Sequence, residues 1–168
     1  MITEESARKR RVLFLCTGNS ARSQMAEAIL NSKAAGRFHA ESAGSHPAAR
    51  VNPLAVEALK QIGIDWSGHA PRGTGGLEHE PWDFVITVCD RAKESCPILP
   101  GHPIYTHWGM EDPADAEGTD AAKLQAFVSA RVLLARRIDL MLALGIEKLE
   151  RMAIVRGLAG IGDPSREE

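Results

Sequence analysis

The chain has 168 residues, 44% of them hydrophobic and 25% charged, with a formal net charge of -2. This suits one ordinary globular domain, large enough to bury a core without staples. It excludes a nucleic-acid or anionic-membrane partner held by overall charge; no apolar run approaches the ~20 residues that span a bilayer, and residues 1–11 carry no apolar leader segment, so a cytoplasmic protein is expected.

Taken in chain order, residues 1–10 read as a basic tail, with Arg8–Arg11 a solvated lead-in to the first strand. Arg11–Cys16 is a continuous apolar run, as in a strand buried on both faces. Gly18 and Asn19 break it, and Arg22–Ala34 follows with Met25, Ala28, Ile29 and Leu30 at helical spacing. Arg37–Ser42 is a short second strand. Asn52 and Pro53 open a helix, as cap and first helical residue, that runs to Ile62 and stops at Gly63. Residues 64–81 read as a long loop. Phe84–Val88 is a third buried strand, followed by the polar Asp90–Ser95, which ends at Pro97. His102–His107 is a fourth strand and Trp108–Gly118 a loop. Asp120 caps a long helix to Leu144. Residues 11–145 thus form one catalytic domain, and residues 146–168 an extension with a short helix and an end frayed at Gly160–Pro164.

Strands that alternate with helices predict a parallel sheet with helices on both faces. Ligands of such sheets bind beyond the carboxyl ends of the strands. Cys16, Cys89 and the loop after His107 all follow strands, so they are expected at one rim.

Cys16-Thr17-Gly18-Asn19-Ser20-Ala21-Arg22-Ser23 joins a buried strand to a helix. The first amides of that helix have no internal partner and are free to face an anion. Gly18 and Asn19 tolerate the positive φ that gathers successive N–H groups into a nest. Arg22 has the planar fork that grips two oxygens of a tetrahedral anion. The same positive field should lower the Cys16 pKa and favour the thiolate, with Ser23 a hydrogen-bond donor to it. The alternative is a buried strand-end cysteine followed by a surface arginine. For Cys89 and Cys96 too, the plain alternative is a small buried hydrophobe, and three cysteines without a leader argue against a secreted disulfide framework. The six histidines have no metal-ligand spacing.

The run Val12–Glu27 resembles the low-molecular-weight protein tyrosine phosphatase superfamily, and within it the thioredoxin-coupled arsenate reductases. Ser42-Ala43-Gly44, Asn52-Pro53, Val85–Pro100 with Cys89 and Cys96, His107-Trp108-Gly109 and Asp112-Pro113 carry the resemblance further, over roughly residues 11–144. It implies a four-stranded parallel sheet flanked by helices on both faces. It also implies that Cys16 attacks arsenate, that Cys89 and Cys96 relay a disulfide outward to thioredoxin or a similar dithiol, and that Asp112, at the place of the phosphatase general acid, protonates a departing oxygen or helps to activate Cys89; the plain alternative is an aspartate that only shapes a turn before Pro113. No tightly bound cofactor and no metal are expected, and a monomer suffices. Some reductases hold potassium beside the loop. Asn19, Glu27 and Ser42 match three of those positions, while the fourth falls at Arg72, whose guanidinium is expected near Glu27 in place of the cation.

Two other readings share the anion loop. A phosphatase would hydrolyse a phosphoester through a Cys16 phosphocysteine, with Asp112 protonating the leaving group. In the phosphatases Asp-Pro is typically followed by an aromatic residue, whereas Ala114 and Asp115 follow here. A redox sensor or oxyanion-binding module would use the same thiols without turnover. The second and third cysteines favour the reductase, since a reductase needs thiols to resolve the adduct.

Overall fold

In the computed structural model, which describes residues 8–146, 149 and 151–166, four strands form one parallel sheet. They are β1 (Arg10–Cys16), β2 (Phe38–Gly44), β3 (Phe84–Thr87) and β4 (Ile104–His107), in the order β2-β1-β3-β4. Every residue from Val12 to Cys16 and from Phe84 to Thr87 is buried, so side chains on both faces of the two central strands are covered. That is why these strands read as unbroken apolar runs. The register sets Cys16 beside Gly44, Leu15 beside Thr87 and Thr87 beside His107, so the carboxyl ends of all four strands meet at one rim.

Among the described residues, five α-helices connect and cover the strands: α1 (Arg22–Ala34), α2 (Pro53–Lys60), α3 (Asp90–Glu94), α4 (Asp120–Ala143) and α5 (Arg151–Ile161). Asn52 caps α2 by accepting the Leu54 N–H at 2.9 Å, with Pro53 in the first turn. Thr119, one residue before the expected Asp120, caps α4 by accepting the Ala122 N–H. α4 packs on α1 and α2, whereas α5 packs on β4 and α4. Among the described residues, no helix is long and apolar enough to cross a membrane.

Besides shifts of one or two residues at the ends of β1, β3 and α2, three departures from expectation stand out. β2 runs on to Gly44 because it stays paired with β1 up to Cys16. β4 begins at Ile104, not His102, because Gly101 and His102 both adopt positive φ in a turn and Pro103 has no N–H to donate. In the run Gly160–Pro164, expected to fray, Gly160 and Ile161 instead finish α5, and Gly162 packs against the end of β4. Of the basic tail expected over residues 1–10, residues 1–7 lie outside the described residues. In the basic cluster, Arg8 and Arg11 face the chain's own carboxylates. Arg8 grips Asp83 at 2.7 and 2.8 Å, and Arg11, only partly exposed, pairs with Glu41 and stacks over Trp82.

Candidate active site

β1 delivers Cys16 to the rim, and the chain then wraps round it before entering α1. The loop is held open by its carbonyls. Those of Thr17, Gly18 and Ser20 point outward and accept the N–H groups of His46, Ala48 and Asn52 at 2.8–2.9 Å. Thr17, Gly18, Ser20, Ala21 and Arg22 line the cavity beside Cys16, where a nest would present its donors. Asn19 takes the left-handed conformation the sequence suggested, with φ 49°. Gly44 makes room for the loop: a Cβ there would lie 2.5 Å from the Thr17 carbonyl oxygen and 2.8 Å from the Asn19 nitrogen.

The Cys16 sulfur lies 3.1 Å from the Asn19 N–H and 2.8 Å from Ser23 Oγ. Asn19 Nδ2 donates to Ser23 Oγ at 2.8 Å, and a Ser23 hydroxyl that donates to the sulfur favours the thiolate. Asn19 Nδ2 also donates to Ser42 Oγ at 2.9 Å, and Ser42 donates to Glu27 Oε1 at 3.0 Å. A buried chain of polar groups thus runs from Glu27 to Cys16. Burial pushes the Glu27 carboxyl up to about 7, against the bonds from Ser42.

The expected lowering of the Cys16 pKa is not met. Burial raises it and outweighs the bonds from Ser23 and Asn19, which pull it down. Arg22, whose charge was expected to help, is engaged by the loop after β4. Its Nη1 donates to the Met110 carbonyl at 2.9 Å and its Nη2 lies 3.5 Å from Asp112 Oδ2. Asp112 also accepts the Ala114 N–H through Oδ1, so it shapes its turn as well as facing the site.

Cys89 immediately precedes the short helix α3 without capping it through its side chain, and is buried, with its sulfur 3.4 Å from Thr17 Oγ1. It lines the same cavity of about 460 Å³ as Cys16, Arg22 and Asp112. Cys96 does not line it. It is half-buried beyond α3, with its sulfur 3.7 Å from the Pro97 carbonyl, and burial pushes its thiol up. All three thiols are free. The Cys96 side is held by Tyr105, whose hydroxyl accepts the Leu99 N–H at 2.8 Å and donates to the Pro97 carbonyl at 3.4 Å.

Several neighbours were not singled out from the sequence. Met110 and Asp115 line the cavity beside Asp112, and Asp90 and Arg91 line it beside Cys89. His107 joins Thr87 Oγ1 at 2.7 Å to Asp90 Oδ1 at 3.0 Å. The available signal was proximity to a strand end. Arg72, expected against Glu27, pairs instead with Glu80 and Glu41 and acts on Glu27 only through its charge, while its backbone N–H donates to Asn19 Oδ1 at 2.7 Å. Among the described residues, no three His, Cys, Asp or Glu side chains form a metal-ion site.

The family model described as low molecular weight phosphotyrosine protein phosphatase matches residues 11–131. An arsenate reductase of Halalkalibacterium halodurans is 42% identical over 130 residues, which are 77% of this chain and 93% of that one. A solved structure of an arsenate reductase in the phosphate binding state superposes with a TM-score of 0.63 at 28% identity, covering 80% of this chain and 98% of its own. The thioredoxin-dependent arsenate reductase of Corynebacterium glutamicum superposes with a TM-score of 0.57 at 30% identity, covering 80% of this chain and 64% of its own.

Proposed function

This chain belongs to the low molecular weight phosphotyrosine protein phosphatase family, and from that premise we propose that it is an enzyme that reduces arsenate to arsenite. The observation that carries the reading is the second thiol: Cys89 lines the Cys16 cavity, against the Thr17 hydroxyl. A phosphatase has no use for a thiol there.

The anion sits on the loop from Thr17 to Ser23, with the Arg22 guanidinium over its oxygens. Cys16, as thiolate, attacks arsenic, and an arsenic-bound hydroxyl leaves as water with a proton from Asp112. Cys89 then attacks the Cys16 sulfur. An S–S bond forms, the S–As bond breaks, and its electron pair stays on arsenic, which departs as arsenite. Cys96 attacks Cys89, Cys16 leaves as a thiolate, and a Cys89–Cys96 disulfide remains. A thioredoxin-type dithiol supplies two electrons to that disulfide and is itself oxidised. The reading of Cys96 needs α3 to rearrange. Only Ala92 of that five-residue helix is buried, so opening it exposes little apolar surface.

One chain supplies all three thiols and the anion loop, which supports action as a monomer. No tightly bound cofactor is needed, since the electrons arrive from a dithiol, and thiols that must cycle between reduced and oxidised fit the reducing cytoplasm.

The test supplies arsenate, thioredoxin, thioredoxin reductase and NADPH, and follows NADPH oxidation, with p-nitrophenyl phosphate hydrolysis in parallel. Sustained arsenate-dependent oxidation is expected, lost in Cys89→Ser and Cys96→Ser. Repeated turnover by either variant, or ester hydrolysis as the dominant activity, would refute the reading.

A further inference from the structure

The family model stops at residue 131, and the chemistry above uses nothing from α5 or the turn after it. Those residues are nonetheless built into the loop that carries Asp112. α5 buries Ile154, Leu158 and Ile161 on one face. Trp108, fully buried, donates its indole N–H to the Leu158 carbonyl at 3.2 Å. One turn on, Gly162 sits so close that a Cβ would lie 2.2 Å from the His107 carbonyl oxygen and 3.0 Å from Trp108 Cδ1. At the other end of the helix, Arg151 donates to the carbonyls of His102 and Pro103, just ahead of β4, at 2.9 and 3.4 Å.

The same stretch is gripped from two more sides. Arg137 of α4, itself buried, donates to the carbonyls of Trp108 and Gly109 at 2.9 and 3.2 Å. The N–H groups of Trp108 and Met110 reach the Thr87 and Val88 carbonyls at 2.7 and 3.3 Å. Just past this clamp come the Met110 carbonyl that receives Arg22 and the Asp112 carboxylate beside it. Pro164 lines a second cavity together with Met110, Asp112 and Asp115, so the chain end reaches the back of the acid loop itself.

We propose that α5 and the Gly162 turn are a positioning element for catalysis: they seat the His107–Asp112 loop against the sheet and thereby hold the Arg22–Asp112 pair in place beside Cys16. The proposal rests on the reading of Asp112 as proton donor in arsenate reduction. Gly162 touches no substrate and acts through the loop. A displacement of about 1 Å in a catalytic group is enough to cost about 10²-fold in rate, so a non-regular loop that carries one gains from a third support.

Full-length Gly162→Ala and Arg151→Gln test this by amide hydrogen exchange and by thioredoxin-coupled arsenate turnover, alone and combined with Asp112→Asn. In Gly162→Ala the amides of Trp108, Met110 and Ala114 should exchange at least about tenfold faster while those of Val12–Leu15 stay unchanged. Arg151→Gln, which adds no atom at the contact, should show the same pattern more weakly. The kcat of Gly162→Ala should fall about tenfold with KM within about twofold, yet change less than about twofold in the Asp112→Asn background. Equal losses in both backgrounds, or unchanged exchange in both variants, would overturn the proposal. An unaltered chain that does not turn over arsenate would sink the functional reading alone, and the exchange result would then decide the clamp in the directions just given.

Discussion

Cys16 stands between two opposed influences. Burial holds its proton on, while the Ser23 hydroxyl and the Asn19 N–H favour the thiolate. Removing the Ser23 hydroxyl leaves burial less opposed. In a chain whose Cys89 and Cys96 are replaced by serine, Ser23→Ala should therefore move the pH inflection of Cys16 alkylation by iodoacetamide upward and slow alkylation at neutral pH. An unmoved inflection would mean that Ser23 does not donate to the sulfur. Glu27 offers a second check. Its carboxyl keeps its proton to about 7 in the fold, against 4.5 as its ordinary value. Its contribution to stability is therefore complete below about 4.5 and lost as the pH rises through about 7. Glu27→Gln keeps an oxygen acceptor for Ser42 and never ionises, so its stability relative to the unaltered chain should rise between about pH 5 and about pH 8, by up to about 3 kcal/mol. Thermal melts at the two pH values measure this, and a constant difference would contradict it. The Cys16 motif was legible in the residues, but the direction of its pKa was not. The sequence reveals which donors lie near, whereas how much water is excluded depends on chain segments far away.

The anion loop depends on neighbours as much as on its own residues. Its carbonyls are held by residues 46–52, and the end of β2 lies directly beneath it. Gly44→Ala puts a methyl group into backbone atoms on both sides of the loop and should weaken sulfate or phosphate binding by about 10²-fold, with a stability loss of about 2 kcal/mol. Isothermal titration and chemical denaturation read the two effects, and near-unaltered affinity would show that the loop adapts. β1, α1 and the Asn52 cap of α2 were legible because apolar runs, spacing and caps are local signals. The start of β4 was not, because two successive positive φ angles come from the turn at Gly101 and His102. A short helix was expected after residue 146 and is present, but its end was misjudged as frayed for a related reason. Gly157, Gly160 and Gly162 argue against a stable helix by propensity, yet a Cβ at Gly157 would meet Leu144 at 2.8 Å and one at Gly162 would meet the His107 carbonyl. Those two glycines mark close packing, which no single-segment pattern reveals.

Across the molecule, parallel strands bring distant residues to one rim: Cys16 after β1, Cys89 after β3 and Asp112 beyond β4. That convergence was readable from the alternation of strands and helices alone. The position of Cys96 was not, since it depends on how α3 closes and on Tyr105 holding the following bend. The proposed relay therefore divides into a preformed half, in which Cys16 and Cys89 share a cavity, and a half that needs α3 to open. Disulfide mapping after a single turnover separates them. Fully reduced protein is mixed with arsenate without any reductant, quenched with acid, alkylated and digested, and the disulfide-linked peptides are identified by mass spectrometry. The unaltered chain should yield the Cys89–Cys96 linkage with one arsenite per chain, and Cys96→Ser should stop at Cys16–Cys89. Arsenite formed without either linkage, or a Cys16–Cys96 linkage formed first, would contradict the proposed order of the thiols.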